Sequence, residues 1–193
     1  MPQLSASIKS KLPKIGTTIF SKMSALAAQE KALNLSQGFP DFNCSPLLTE
    51  LVSKAMNQGM NQYAPMPGLI QLREQIAKKT ELLYSGQYHP DTEVTITAGA
   101  TQAIFTAITA FVNKGDEVIV IKPAYDCYEP AILLNGGIPV YVQLNAPDYS
   151  IDWEVFQEKL TSKTKMVILN TPHNPSGTVL SKWDMEQLQT ILK

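Results

Sequence analysis

Apolar residues recur at helical spacing in the first half of the chain, and this spacing predicts three helices. The helices are expected over residues 21–33, 45–59 and 67–84. Ser45 and the proline that follows it supply an N-cap and a first-turn proline for the second helix. Gly86 is expected to end the third helix. Together these elements form an N-terminal helical segment.

From residue 93 onward the pattern changes to short, β-branched apolar runs separated by helix-like segments. The runs predicted as strands are EVTIT, EVIVI, IPVYVQL and KMVILN, which begin at residues 93, 117, 138 and 165. Strand–helix–strand alternation is typical of parallel sheets. We therefore predict an α/β fold, in which a mainly parallel sheet is covered by helices on both faces.

The last segment, SKWDMEQLQTILK, has a capping box at its start and a helical pattern up to the final residue. Ser181 and Asp184 have the spacing of that box. A further strand is expected to follow a helix of this kind in an alternating α/β chain. We therefore interpret the 193 residues as a fragment of a longer protein.

The composition predicts a soluble, cytoplasmic protein without nucleic-acid or membrane partners. The formal net charge is -1, so no strongly basic surface is expected, and no apolar run reaches the roughly 18 residues of a membrane span. Cys44 and Cys127 lack the CxxC spacing of a zinc site or a disulfide framework. His173 has no carboxylate or cysteine at metal-ligand spacing, and His89 is interpreted as a surface residue, so we predict no metal site.

Ligands of open parallel sheets bind beyond the carboxyl ends of the strands. The first such place is AGATQ, residues 98–102, which is expected to open a helix. Its backbone amides and the Thr101 hydroxyl suit an anion, and each such contact contributes about 0.3–1 kcal/mol. The alternative is a tight turn in which the small residues only permit close packing.

The second place follows EVIVI, in the segment KPAYDCY, residues 122–128. Tyr125 is expected just outside the sheet, where an aromatic ring can lie against a planar ligand, although on local sequence alone ordinary packing against the next loop is favoured. Cys127 is interpreted as a small apolar residue rather than a nucleophile, because no base accompanies it. Lys122 is interpreted as a solvated residue.

The third place is NTPHNPSG, residues 170–177, after KMVILN. Asn170 and Asn174 carry amides that both donate and accept hydrogen bonds. Pro172 and Pro175 restrict the backbone, which favours a loop organised in advance for a ligand. A plain turn also accounts for these residue types.

Five segments in this order resemble the N-terminal half of a class I/II aminotransferase, an enzyme dependent on pyridoxal phosphate with the fold of aspartate aminotransferase (fold type I). The segments are SQGFPDF (36–42), NQYAPMPG (61–68), TAGATQA (97–103), KPAYDCYEP (122–130) and NTPHNPSG (170–177). Methionine and kynurenine aminotransferases are the most similar members. The resemblance implies that residues 46–193 are the first part of a large cofactor domain. Residues 1–45 would be an arm and loop of the small domain and substrate pocket.

The resemblance also implies roles for individual residues. Gly99, Ala100 and Thr101 would hold the phosphate of the cofactor. Tyr125 would stack on its pyridine ring, and Asn174 would hydrogen-bond its phenolic oxygen.

Four further residues would act on the substrate or across a subunit interface, again by resemblance. Phe20, Gly38 and Asn170 would contact the substrate. Tyr63 would reach the phosphate bound by a second subunit, which implies a homodimer with shared active sites.

The resemblance places the catalytic groups outside this chain. The Schiff-base lysine and the aspartate that pairs with the pyridinium nitrogen are expected beyond residue 193. No lysine here lies in the Ser-x-Ser-Lys context of the family, and the one arginine, Arg73, does not match the carboxylate-binding arginine. We therefore predict no catalytic residue among these 193 and no activity for them alone.

The predicted reaction of the complete protein is transamination. The amino group of a methionine-, aromatic- or kynurenine-like amino acid would pass to a 2-oxo acid by way of pyridoxal phosphate. Two alternatives stay open: a cysteine-conjugate β-lyase on the same fold, and a truncated remnant that binds cofactor without catalysis.

Overall fold

The computed structural model describes residues 9–38 and 40–193, which fall into two units. One unit is Ile19–Ala98, and the other joins Gly99–Lys193 to the described residues 9–18. Position 39, within the segment SQGFPDF, lies outside the described residues. The domain boundary after residue 45 stays a prediction.

The unit Ile19–Ala98 contains three helices, α1 (Ile19–Gln29), α2 (Pro46–Asn57) and α3 (Ile70–Tyr84). The predicted helix over 21–33 therefore begins earlier and ends earlier than expected. It ends because Lys31 adopts a left-handed conformation with φ of 51°. In this Schellman-type end the N–H of the next residue, Ala32, donates to the carbonyl of Ala27 at 2.9 Å.

The other two helices begin and end close to the predicted positions. Ser45 stands at the N-cap of α2, and Gly59 follows its end with φ of 81°, as expected of a terminating glycine. Helix α3 ends at Tyr84 as predicted, but the residue that ends it in a left-handed conformation is Ser85, with φ of 55°, rather than Gly86.

Arg73 is the buried polar centre of this unit. Its Nε donates to the carbonyl of Gly68 at 3.1 Å, and its Nη1 donates to the carbonyl of Pro90 at 2.9 Å. The Asp91 carboxylate lies 3.5 Å from the same nitrogen. The guanidinium thus joins the start of α3 to the loop that follows it.

The prediction of a strand over residues 93–97 is wrong. No strand is assigned to this segment in the described structure, and it lies in the helical unit. The N–H of Ile96 donates to the carbonyl of Pro67 at 2.9 Å. A Cβ at Gly68, where φ is 99°, would collide with the Ile96 side chain. Alternating apolar residues here serve contacts with a loop rather than with a neighbouring strand.

The unit Gly99–Lys193 contains a sheet of three parallel strands among the described residues. The strands are β1 (Glu117–Lys122), β2 (Ile138–Gln143) and β3 (Thr164–Ile168), in the order β2-β1-β3. The middle strand is buried from residue 118 to residue 121, as expected for a parallel strand covered on both faces.

Helices cover both faces of this sheet. They are α4 (Ala100–Phe111), α5 (Tyr128–Leu134), α6 (Trp153–Glu158) and α7 (Lys182–Ile191). The buried residues on the face of α4 and α5 are Ile108, Val112, Val118, Val120, Tyr128, Ala131 and Ile132. Those on the face of α6 and α7 are Ile119, Ile121, Val142, Leu144, Ile151, Trp153, Phe156 and Leu188. The predicted α/β fold is confirmed. In the part of the chain that the structure describes, no helix has the length and apolar character needed to cross a membrane.

The capping box predicted for the last helix is present. The Ser181 hydroxyl accepts from the N–H of Asp184, whose carboxylate accepts from the Ser181 N–H at 2.7 Å. The same carboxylate accepts from Trp153 Nε1 at 3.0 Å, which joins α6 to α7. Burial raises the pKa of Asp184, but the hydrogen bonds from Ser181 and Trp153 outweigh it, and the net shift is downward. Helix α7 ends at Ile191, two residues before the predicted end, and Leu192 is its C-cap residue.

Candidate functional site

The order of the strands places a crevice at the carboxyl end of the sheet. From β1 the chain passes through α5 to β2 on one side, and then returns through α6 to β3 on the other side of β1. Ligands of open α/β sheets bind where the winding direction changes in this way. The segments that follow β1 and β3 are therefore the ones that can meet a common ligand.

An open cleft of about 460 Å³ lies at this position. Its lining residues come from the start of α4, from the segment after β1 and from the loop after β3. They are Ala100, Thr101, Ile104, Tyr125, Tyr128, Asn170, Pro172 and Asn174. Five of the residues proposed from the sequence thus line one cleft, and a sixth, Gly99, directly precedes Ala100.

The start of α4 forms one wall of the cleft. Gly99 is the N-cap residue and has φ of 87°, a conformation that favours glycine. The amides of Ala100 and Thr101 lie in the first turn, where no preceding helical carbonyl can accept from them. The Thr101 side chain is exposed, and its hydroxyl has no partner among the described residues. This wall can therefore donate several hydrogen bonds to an anion.

Two tyrosines form the aromatic part of the cleft. The rings of Tyr125 and Tyr128 meet edge to face, with centroids 6.0 Å apart. Tyr128 is buried, and burial raises the pKa of its phenol. Tyr125 is half-buried and packs against the same apolar cluster, which holds its ring at the cleft. Burial, followed by the nearby Asp126 carboxylate, also raises the pKa of Cys127, which does not suit a nucleophile.

The loop after β3 is fixed by its own hydrogen bonds. The amide oxygen of Asn170 accepts from the N–H of Asn174 at 2.8 Å. The N–H of His173 donates to the carbonyl of Thr178 at 2.8 Å, and the N–H of Gly177 donates to the carbonyl of His173 at 2.7 Å. The Asn174 side chain is exposed and has no partner among the described residues, so its amide is free to bind a ligand.

His173 is buried beneath this loop, a role that sequence reasoning missed because it considered only metal binding. Its Nδ1 lies 2.7 Å from Ser176 Oγ, which in turn lies 3.0 Å from Thr178 Oγ1. Burial lowers the pKa of His173, and the Pro123 carbonyl opposes part of that shift. The imidazole thus stands between the loop after β3 and the segment after β1. One signal was in the sequence: a histidine flanked by Pro172 and Asn174 in a ligand loop.

The interpretation of Lys122 as a solvated residue is wrong. Its Nζ lies 2.8 Å from Glu129 Oε2 and 4.9 Å from the centroid of the Tyr141 ring. The hydrogen bond from Lys122 lowers the pKa of Glu129 and outweighs burial, which raises it. No local pattern could reveal this contact, because it depends on a turn between the two residues and on a neighbouring strand.

Three predicted site residues lie in the unit Ile19–Ala98. Phe20 is half-buried on α1, and Gly38 is exposed. Tyr63 is fully exposed. Their assignments to the substrate and to a second subunit stay predictions.

These observations first define a class of protein. A parallel sheet with helices on both faces and an open cleft at its switch point is typical of α/β proteins that bind nucleotides or cofactors. The family then follows from the sequence. Residues 30–193 match the model of the family "Aminotransferase class I and II", and the chain belongs to that family.

Similar proteins agree with this assignment. The chain is 54% identical over 180 residues to the methionine aminotransferase of Escherichia coli (strain K12), which covers 93% of this chain and 47% of that protein. It is 36% identical over 188 residues to kynurenine–oxoglutarate transaminase 3 of Homo sapiens, covering 92% and 41%. The chain thus spans about half the length of the curated relatives it matches.

The fold also matches a solved structure. The chain superimposes on the aspartate aminotransferase of Rhizobium meliloti with a TM-score of 0.87 and 29% sequence identity, covering 97% of this chain and 48% of that one. The resemblance drawn from the five sequence segments is therefore confirmed, as is the aspartate-aminotransferase-like fold. The family implies pyridoxal phosphate as its cofactor.

Proposed function

We propose that the complete protein is an aminotransferase that uses pyridoxal phosphate. It would transfer the amino group of a methionine-, aromatic- or kynurenine-like amino acid to a 2-oxo acid. One observation carries the proposal: Thr101, Tyr125 and Asn174, from three separate segments, line a single cleft. The names of the methionine and kynurenine relatives support this substrate class.

The residues of the cleft fit the proposed cofactor. Its volume of about 460 Å³ lies within the range of small-molecule sites, roughly 300–1,000 Å³. The start of α4, with Thr101, offers amide and hydroxyl donors for a phosphate. Tyr125 offers an aromatic face for the pyridine ring, and Asn174 offers an amide donor for the phenolic oxygen.

The chain's residues would bind and orient the cofactor rather than move protons. When bound, pyridoxal phosphate supplies a conjugated ring that accepts electron density from the Cα of the amino acid. The side-chain amide of Asn174 would fix the ring by a hydrogen bond to the phenolic oxygen of the cofactor. The hydrogen bond from the backbone N–H of Asn174 to the Asn170 side chain would keep Asn174 in place. The covalent lysine and the aspartate at the ring nitrogen are proposed to come from residues beyond 193.

A dimeric, cytoplasmic enzyme is part of the same proposal. Full exposure of Tyr63 is compatible with contact to a second subunit, where it would reach the phosphate. Phe20, Gly38 and Asn170 would contact the substrate. The cytoplasmic location rests on the composition and on two cysteines that form no disulfide with each other.

An absorbance titration of the complete protein tests the proposal. The bound cofactor should give a visible band that shifts when methionine is added and returns when a 2-oxo acid follows. Asn174→Ala should displace the band maximum, because the phenolic oxygen loses a donor. Asn145→Ala, which removes an exposed asparagine after β2, is the matched control and should leave the band unchanged. A band that responds to no amino acid would contradict transamination.

The same samples separate the open alternatives. Release of a 2-oxo acid and ammonia from a cysteine conjugate, without an added acceptor, would identify the β-lyase. A protein that binds cofactor but turns over neither substrate class would be the non-catalytic remnant. Amino transfer that requires the added 2-oxo acid supports the proposed function.

A further inference from the structure

We propose that Lys122 and Glu129 form a clasp that positions the aromatic wall of the cleft. The two residues do not line the cleft themselves, so they would be positioning residues for Tyr125 and Tyr128. This inference rests on the proposed function, because it concerns how tightly the same cleft holds pyridoxal phosphate.

The ion pair closes the segment that carries both tyrosines. Lys122 is the last residue of β1, and Glu129 lies in the first turn of α5. Their side chains meet at 2.8 Å, so the ends of the segment are joined directly while Tyr125 and Tyr128 lie between them. Joining the ends removes freedom from the backbone in between.

One end of the clasp is anchored in the sheet. The carbonyl of Lys122 accepts from the N–H of Leu144 at 2.7 Å, which fixes its backbone to the strand next to it. Its ammonium also lies over the Tyr141 ring of β2, a favourable cation–π contact. Glu129 is therefore tied to a rigid element.

The other end of the clasp, at the start of α5, is held less firmly by its own backbone. The backbone bonds that begin α5 are long: the N–H of Tyr128 donates to the carbonyl of Tyr125 at 3.5 Å, and the N–H of Ala131 donates to that of Cys127 at 3.3 Å. Bonds of this length are weak. The ion pair, at 2.8 Å, is shorter than both of these bonds and, unlike them, joins the start of α5 to β1.

A second ion pair in the chain shows why this one is suited to the task. Lys182 and Glu186 of α7 lie 3.7 Å apart with 90% and 58% of their side chains exposed. For Lys122 and Glu129 the exposed fractions are only 28% and 37%. Solvent screens exposed pairs and leaves them with little effect on structure. The partly buried pair holds its geometry, and the exposed pair is its natural control.

A double-mutant cycle on the complete protein tests the clasp. Lys122→Met and Glu129→Gln are compared singly and together, and the dissociation constant of added pyridoxal phosphate is measured by absorbance. Each single variant should raise that constant about two- to fivefold. The dissociation constant of the double variant should not exceed the larger of the two single-variant constants, because either change opens the same contact. Circular dichroism of the bound cofactor should weaken in parallel, since the Tyr125 ring loses its fixed orientation.

The controls separate positioning from general loss of structure. Lys182→Met with Glu186→Gln should change neither the dissociation constant nor the dichroism. The exchanged pair, Lys122→Glu with Glu129→Lys, should recover part of the affinity. Melting temperatures without cofactor identify any variant that fails to fold. If one does, the result for Glu129→Gln, the near-isosteric change, decides whether the ion pair positions the cleft.

Two outcomes overturn the clasp alone. Either the variants bind as tightly as the unmodified protein, or their effects add independently in the double variant. An unmodified protein that shows no saturable binding of pyridoxal phosphate would instead overturn the proposed function, and this inference with it.

Discussion

The sheet unit and the helical unit bury their apolar residues to very different extents. In the sheet unit the four residues from Val118 to Ile121 are at most 5% exposed, and helices pack on both sides of them. In the helical unit none of the described apolar side chains of α1, α2 or α3 is buried, while Arg73 of α3 is. The two units thus depend on different interactions, apolar packing in one and a hydrogen-bonded guanidinium in the other.

The difference shows what a pattern of apolar residues can predict. The stripe on α2 marks a helix correctly, although Leu47 and Leu51 remain 62% and 53% exposed. Leu72 on α3 is 47% exposed. Periodicity reports backbone geometry, because every third or fourth residue shares a face. Burial additionally requires a partner for that face, which no local pattern supplies.

The largest expected effect belongs to the core of the sheet unit. Phe156 is fully buried and packs edge to face on Trp153, with centroids 5.3 Å apart. Phe156→Ala should lower the free energy of unfolding by about 3–5 kcal/mol, because it leaves a cavity. Leu82→Ala on α3, where the side chain is 75% exposed, is the control and should change it by no more than about 0.5 kcal/mol. Urea denaturation measures the free energy of unfolding of both variants. Equal losses in the two would contradict the difference in burial between the sheet unit and the helical unit.

The helical unit should be most sensitive at Arg73. Arg73→Met leaves the carbonyls of Gly68 and Pro90 without their donor, so the free energy of unfolding should fall by about 1–3 kcal/mol. Lys78→Met removes an exposed cation from the same helix and should cost no more than about 0.5 kcal/mol. Hydrogen exchange should quicken around residues 89–93 in the first variant only. Unchanged exchange there would show that the guanidinium does not hold this loop.

His173 should give the sheet unit a dependence on acid. Burial lowers its pKa in the folded chain below the unfolded value, near 6.5. Below that pH the unfolded chain therefore binds a proton that the folded chain does not, and stability falls as pH falls. His173→Gln should make the melting temperature depend less steeply on pH between about pH 7 and 5. His89→Gln, which removes an exposed histidine, is the control, and a larger change there would contradict the assignment.

The smallest expected effect lies at the start of α4. Thr101→Val removes one hydroxyl donor and keeps a β-branched side chain, so affinity for pyridoxal phosphate should fall about two- to fivefold. Thr106→Val, at an exposed position further along α4, is the matched control. Absorbance titration of the complete protein measures both constants. Equal constants for the two variants would remove Thr101 from the phosphate site.

Much of the sheet unit could be predicted from sequence because its signals are local. The apolar run EVIVI predicts β1, and the spacing of Ser181 and Asp184 predicts the start of α7. The segment 93–97 carries an equally clear strand pattern but pairs with no strand among the described residues, and Ile96 bonds instead to the loop at Pro67. A strand is a property of two segments, and only one of them is visible in a local pattern.

The candidate site divides in the same way. Tyr125 and Asn174 could be expected together, because parallel strands end at one edge of the sheet and both residues follow such strands. Thr101 joined them only through the family resemblance, since the run before it is not a strand of this sheet. The contacts of Lys122 and His173 could not be expected, because they join segments that the sequence does not bring together. The groups that would touch a ligand were thus easier to predict than those that hold them in place.

The central claim is that three segments of the sheet unit bind one planar, phosphorylated cofactor. A crystal structure of the complete protein with pyridoxal phosphate tests it most directly. It should show the phosphate at the start of α4 beside Thr101, the ring against Tyr125 and the phenolic oxygen within hydrogen-bond distance of Asn174. A cofactor bound elsewhere, or one that leaves any of these three side chains without contact, would contradict the account.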